Sequence, residues 1–137
     1  MSDCSQEMMD GLRRDRFAAA NGIELVDVRP GYARAVMPIE DRHHNSLGTV
    51  HGGALFTLAA TTFFAACNAA GQVAMGISMS ISCHHPALEG QLQAEATEIS
   101  RSRKLATCGV RICDAAGRLI ATFQGTAYVK RDPFPPP

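Results

Sequence analysis

The spacing of apolar and polar residues divides the chain into elements. The longest apolar stretch follows Gly53 and ends at Gly71, with Leu55, Phe56, Leu58, Ala59, Phe63, Phe64 and Cys67 on nearly every face. It predicts one helix over 52–70, buried on all sides and stopped by a glycine suited to the left-handed position after a helix end. Ahead of it, Met8, Met9, Leu12 and Phe17 share one side of a predicted helix over 5–20, with Arg13, Arg14 and Arg16 elsewhere. Strands are predicted over 23–29 and 32–39, joined at Pro30 and Gly31 as a hairpin; the second puts Ala33, Ala35, Met37 and Ile39 on one face. Behind the long helix come period-two segments over 76–83, 92–99, 104–112 and 118–129, the last two joined by a turn over 114–117. The first of these sets Ile77, Met79, Ile81 and Cys83 against a face of small residues, Gly76, Ser78, Ser80 and Ser82, which suits close approach of a backbone or a ligand. The proline-rich tail over 130–137 reads as loose.

This order places consecutive strands with short turns after one long helix. It predicts an α+β domain spanning residues 1–137, an antiparallel sheet wrapped around a central helix, with 1–21 as an N-terminal helix. A formal net charge of zero argues against nucleic acid or an acidic membrane surface as partner. The polar, acidic start carries no signal-peptide pattern. Thr57, Thr61, Thr62 and Asn68 interrupt the long helix, which therefore reads as buried in protein and not in a membrane. Cys4, Cys67, Cys83, Cys108 and Cys113 are odd in number and lack paired spacing, so reduced thiols and a cytoplasmic setting are expected. His43 with His44, and His84 with His85, point to opposite faces within each pair, and no metal or cofactor is expected; His84 and His85 are expected at a pocket rim.

The run Asn45, then Gly48, His51, Gly52 and Gly53, followed by Phe56, Leu58, Ala59 and the Ala66, Cys67, Asn68 run, resembles the hotdog thioesterases of the phenylacetate-degradation (PaaI-like) group. The likeness extends from about Gly22 to Val129. It implies a hotdog fold and hydrolysis of an acyl-CoA thioester of a small aromatic or short to medium-chain acid, at sites shared between protomers of a homodimer or homotetramer. It also implies that Gly52 offers its backbone N–H to the thioester carbonyl, that Asn45 positions water or substrate, that His51 buttresses the loop or touches the thioester region, and that Gly53 and His84 contact the substrate or CoA. Free N–H groups at a helix start favour an oxyanion on general grounds. The turn with Arg101, Ser102, Arg103 and Lys104 matches a segment that contacts CoA phosphates, where Arg and Lys suit phosphate oxygens.

The chain departs from that pattern at one position. The resemblance implies a carboxylate nine positions after His51, and Ala60 stands there; no Asp or Glu occurs between Asp41 and Glu89. A methyl group can neither activate water nor attack a carbonyl. Three readings follow: an inactivated variant, a binder of acyl-CoA without turnover, or hydrolysis by another route with water held by Asn45 and Thr61.

Overall fold

The computed structural model describes residues 4–137, so the first residues of the polar start lie outside it. Two helices open the chain, α1 (Gln6–Leu12) and α2 (Arg16–Ala20). The single helix predicted over 5–20 is broken because two residues in it cap helices. Ser5 Oγ accepts the Met8 N–H at 3.2 Å, and Asp15 Oδ1 accepts the Ala18 N–H at 2.9 Å. The break also turns Phe17 out to 67% exposure, away from the side it was expected to share with Met8 and Leu12.

Strands β1 (Glu24–Arg29) and β2 (Tyr32–Pro38) form the expected hairpin, with Gly31 at φ 77° in the turn. The long helix is α3 (Gly52–Asn68), and β3 (Gln72–Cys83), β4 (Gln91–Arg101), β5 (Leu105–Cys113) and β6 (Leu119–Pro133) follow. They make one antiparallel sheet in the order β1-β2-β4-β5-β6-β3, and α3 packs against every strand. The expected alternation puts Ala33, Ala35, Ala94, Ala96, Ala106 and Cys108 on the buried face. These small side chains let the sheet close on the helix. Gly125 does so most strictly: a Cβ there would lie 2.9 Å from the Phe63 ring. Leu58, fully buried, contributes about 1.5–3 kcal/mol by leaving water.

Two expectations need correction. First, α3 is not buried on all sides. Gly53, Phe56, Thr57, Ala60 and Phe64 are exposed or half-buried and recur at three or four residues, so the sheet leaves one stripe of the helix open. The edge strand β3 leaves Met75, Ile77 and Met79 55%, 60% and 40% exposed, while Ala74 is buried and Ile81 packs against the core. Second, the tail is not loose throughout. The β6 strand runs on to Pro133, the Phe134 N–H donates to the Gly71 carbonyl at 2.9 Å, and the Phe134 ring meets Phe64 edge-on at 5.9 Å.

Asn68 fixes the exit from α3. Buried, it accepts the Ala74 N–H at 2.9 Å and donates to the carbonyls of Ala74 and Phe64 at 3.0 and 2.9 Å. Gly71, at φ 98°, ends the helix as its sequence position predicts.

Candidate active site

The first turn of α3 is organised by His51. It is the N-cap residue, and its ring Nδ1 accepts the Gly53 N–H at 2.8 Å. In the neutral ring this puts the proton on Nε2. The His51 carbonyl accepts from Ala54 and Leu55 at 2.9 and 3.2 Å. Of the donors that a helix start leaves without an internal partner, the Gly52 N–H alone remains unbonded among the described residues. A Cβ on Gly52 would meet nothing within 4 Å, so the space on that side of the residue is open.

Gly52 lines a cleft of about 290 Å³ with Asn45, Thr49, Leu55, Cys83, His84, His85 and Pro86. Asn45 holds the loop: its Oδ1 accepts from Leu47 and Thr49 at 2.9 and 3.2 Å, and its Nδ2 donates to Thr49 Oγ1 at 2.8 Å. An amide has two N–H donors, so one stays available to the cleft. His84 Nε2 bonds with Thr122 Oγ1 at 2.8 Å, and His85 Nδ1 donates to the Leu119 carbonyl at 2.9 Å, fixing both rings at the rim. His43, by contrast, is a buried structural residue bonded to Glu40 and Asn21. No group of three His, Cys, Asp or Glu side chains among the described residues could hold a metal ion.

Ala60 and Thr61 are elsewhere. They line a second cleft of about 420 Å³ over the open stripe of α3, with Asp15, Phe17, Phe56, Thr57, Phe63, Phe64, Gly76 and Met79. One protomer therefore does not bring Ala60 and Thr61 together with Asn45 and Gly52. Phe123 backs the aromatic wall, with ring centroids 5.6 Å from Phe56 and 5.7 Å from Phe63.

The predicted phosphate-contacting group is divided. Arg103 and Lys104 line a cleft of about 390 Å³ with Gln72, Tyr128, Lys130, Arg131 and Asp132. Arg101 turns inward: its Nε donates to Glu98 at 2.7 Å and its Nη2 to the Cys67 carbonyl at 3.0 Å, near the end of α3. Ser102 shapes the turn by accepting the Leu105 N–H at 3.2 Å. Sequence reading missed Lys130 and Arg131 because they fall in the segment read as tail. The Val129 N–H to Lys104 carbonyl bond, 2.7 Å, brings them beside Lys104, and only strand register reveals it. The most perturbed thiol lies outside all three clefts: hydrogen bonding to Cys108, 3.6 Å away, and burial push Cys67 up.

A long helix held by a six-stranded antiparallel sheet, with an unbonded N–H at its first turn, defines a hotdog-fold protein. The comparisons then give the family. A profile described as Thioesterase superfamily matches residues 47–121. A putative esterase of Archaeoglobus fulgidus is 34% identical over 125 residues, covering 90% of this chain and 81% of that protein. Acyl-coenzyme A thioesterase PaaI of Escherichia coli is 29% identical over 115 residues, 83% of this chain and 82% of its own. The E. coli PaaI structure superposes with a TM-score of 0.89 at 26% identity, over 93% of this chain and 94% of that one. A mutant of the phenylacetic acid degradation protein PaaI from Thermus thermophilus gives 0.80 at 33% identity, over 83% and 98%. The chain belongs to the thioesterase superfamily, within its PaaI-like hotdog group of thioester hydrolases.

Proposed function

We propose that this chain hydrolyses acyl-CoA thioesters at sites completed by a second copy of itself. The observation that carries the reading is the unbonded Gly52 N–H at the start of α3. A donor held there, with the positive end of the helix dipole behind it, stabilises the oxyanion formed when water attacks the thioester carbonyl. Asn45 offers its remaining N–H beside it, and His51 keeps the turn in register.

The second copy is invoked because the needed parts lie apart in one protomer. Gly52 shares a cleft with Cys83 at one end of β3, while Ala60 shares one with Gly76 and Met79 further up the strand. Antiparallel pairing of two β3 edges about a two-fold axis near Met79 sets the Gly52 end of one protomer beside the Ala60 face of the other. The same pairing draws the basic cleft of Arg103, Lys104, Lys130 and Arg131 toward the partner's first turn, where CoA phosphates would be held. Phe17, Phe56, Phe63 and Phe64 surround the acyl group, which suits a small aromatic or a short to medium-chain acid. The unbridged Cys67 and Cys108 sulfurs, 3.6 Å apart, suit a reducing cytoplasm.

Ala60 favours one competing reading, an acyl-CoA binder without turnover. The test is thiol release from a panel of acyl-CoA esters by this chain and by Gly52→Pro. His51 already has φ −61° and ψ 139°, the conformation a following proline requires, and proline suits the first helical position. The substitution thus removes the N–H and keeps the helix. The expected result is an unchanged thermal midpoint with kcat lower by about 100- to 1000-fold. An unchanged rate refutes Gly52 as the donor. Saturable binding with no thiol release by the parent chain establishes the binder.

A further inference from the structure

We propose that Asp15 is the general base, supplied by the N-terminal segment in place of a carboxylate on α3; this rests on the hydrolase reading above. The cleft over Ala60 has one ionisable group among its lining residues, and it is Asp15. Asp15 and Thr61 also line an adjoining cleft of about 190 Å³, so the two side chains flank the same wall beside Ala60. The carboxylate is anchored at one oxygen, where Oδ1 accepts the Ala18 N–H at 2.9 Å. No bond from the described residues engages Oδ2, the oxygen left for a water. The break between α1 and α2 is what carries Asp15 out to the open stripe.

The threonines support this placement. Thr57 and Thr62 each donate their hydroxyl to the carbonyl four residues earlier, Gly53 and Leu58, at 2.7 Å. The Thr61 hydroxyl has no such bond among the described residues and is available to orient a water between itself and Asp15. As the water oxygen bonds to the thioester carbon, Asp15 accepts one of its protons and the carbonyl electron pair moves to the oxygen facing the partner's first turn of α3. Collapse of that intermediate breaks the C–S bond. The leaving thiolate takes the proton from Asp15, giving CoA thiol and the free acid, which loses its own proton to solvent.

The experiment compares thiol release and acyl-CoA binding by the parent, Asp15→Asn, Asp15→Ser and Asp15→Asn with Ala60→Asp. Asn and Ser cap helices about as well as Asp and bring no base. Expected is a fall in kcat of about 100-fold or more in both single variants with KM within about twofold, and recovery of at least about tenfold when Ala60→Asp restores a carboxylate. Single variants within about threefold of the parent, or a fall that Ala60→Asp does not reverse, overturn Asp15 as the base and leave the hydrolase reading standing. A parent that binds acyl-CoA and releases no thiol overturns both.

Discussion

The first turn and the middle of α3 reach the surface by opposite means. At the first turn the useful group is a backbone N–H, made available by helix geometry and kept free because the His51 ring takes its neighbour. At the middle the surface is built from side chains, four phenylalanines and a methionine around Ala60 and Thr61, and its chemistry rests on what stands at one or two positions. A backbone donor survives nearly any side-chain change, whereas a catalytic carboxylate is lost with one. The chain has the unbonded N–H, and Ala60 stands where the family resemblance implies a carboxylate.

The comparison breaks most completely if the two regions cannot meet. Ile77 is 60% exposed on β3, so Ile77→Lys leaves the protomer folded while putting charge on the edge proposed to pair with a second copy. Light scattering should show the mass reduced to that of one protomer, with thiol release falling below detection. A smaller effect separates binding from chemistry. Lys104→Ser with Lys130→Ser should raise KM for acyl-CoA by about tenfold, about 1.4 kcal/mol, with kcat unchanged, and the parent's KM should rise with salt while the variant's responds less. The smallest effect sharpens the contrast between backbone and side chain. Gly52→Ala adds a methyl where nothing lies within 4 Å and retains the N–H, so kcat should stay within about twofold of the parent, against the collapse expected for Gly52→Pro.

Much of this was legible in the sequence because it is periodic and local. The approximate bounds of α3 and the alternation in β2, β4 and β5 follow from spacing, whereas the run from Asn45 to Gly53 stands out only through its resemblance to a known family. The rest depended on tertiary placement. Asp15 looks like any polar residue of an amphipathic helix until its capping bond breaks that helix. In β3, period two shows which residues share a face but not whether anything covers it, so the exposure of Met75, Ile77 and Met79 is visible only in the structure. Lys130 and Arg131 join Arg103 and Lys104 only through strand register, and Arg101 leaves that group because Glu98 and the Cys67 carbonyl are nearer partners.

Asn68 also governs where the chain tolerates a change of length. Its bonds to both backbone groups of Ala74 hold the segment over 69–73 to a fixed number of residues. An insertion or deletion there would slip β3 by one position against β6, exchanging the faces of every residue from Gln72 to Cys83. The turn over 114–117 carries no such burden. Its bonds, in which Asp114 oxygens accept the N–H groups of Ala116, Gly117 and Arg118, are internal to the hairpin. Peptide tags or loop grafts placed there would leave both clefts of α3 untouched, while a single added residue after Asn68 would take apart the edge on which they depend.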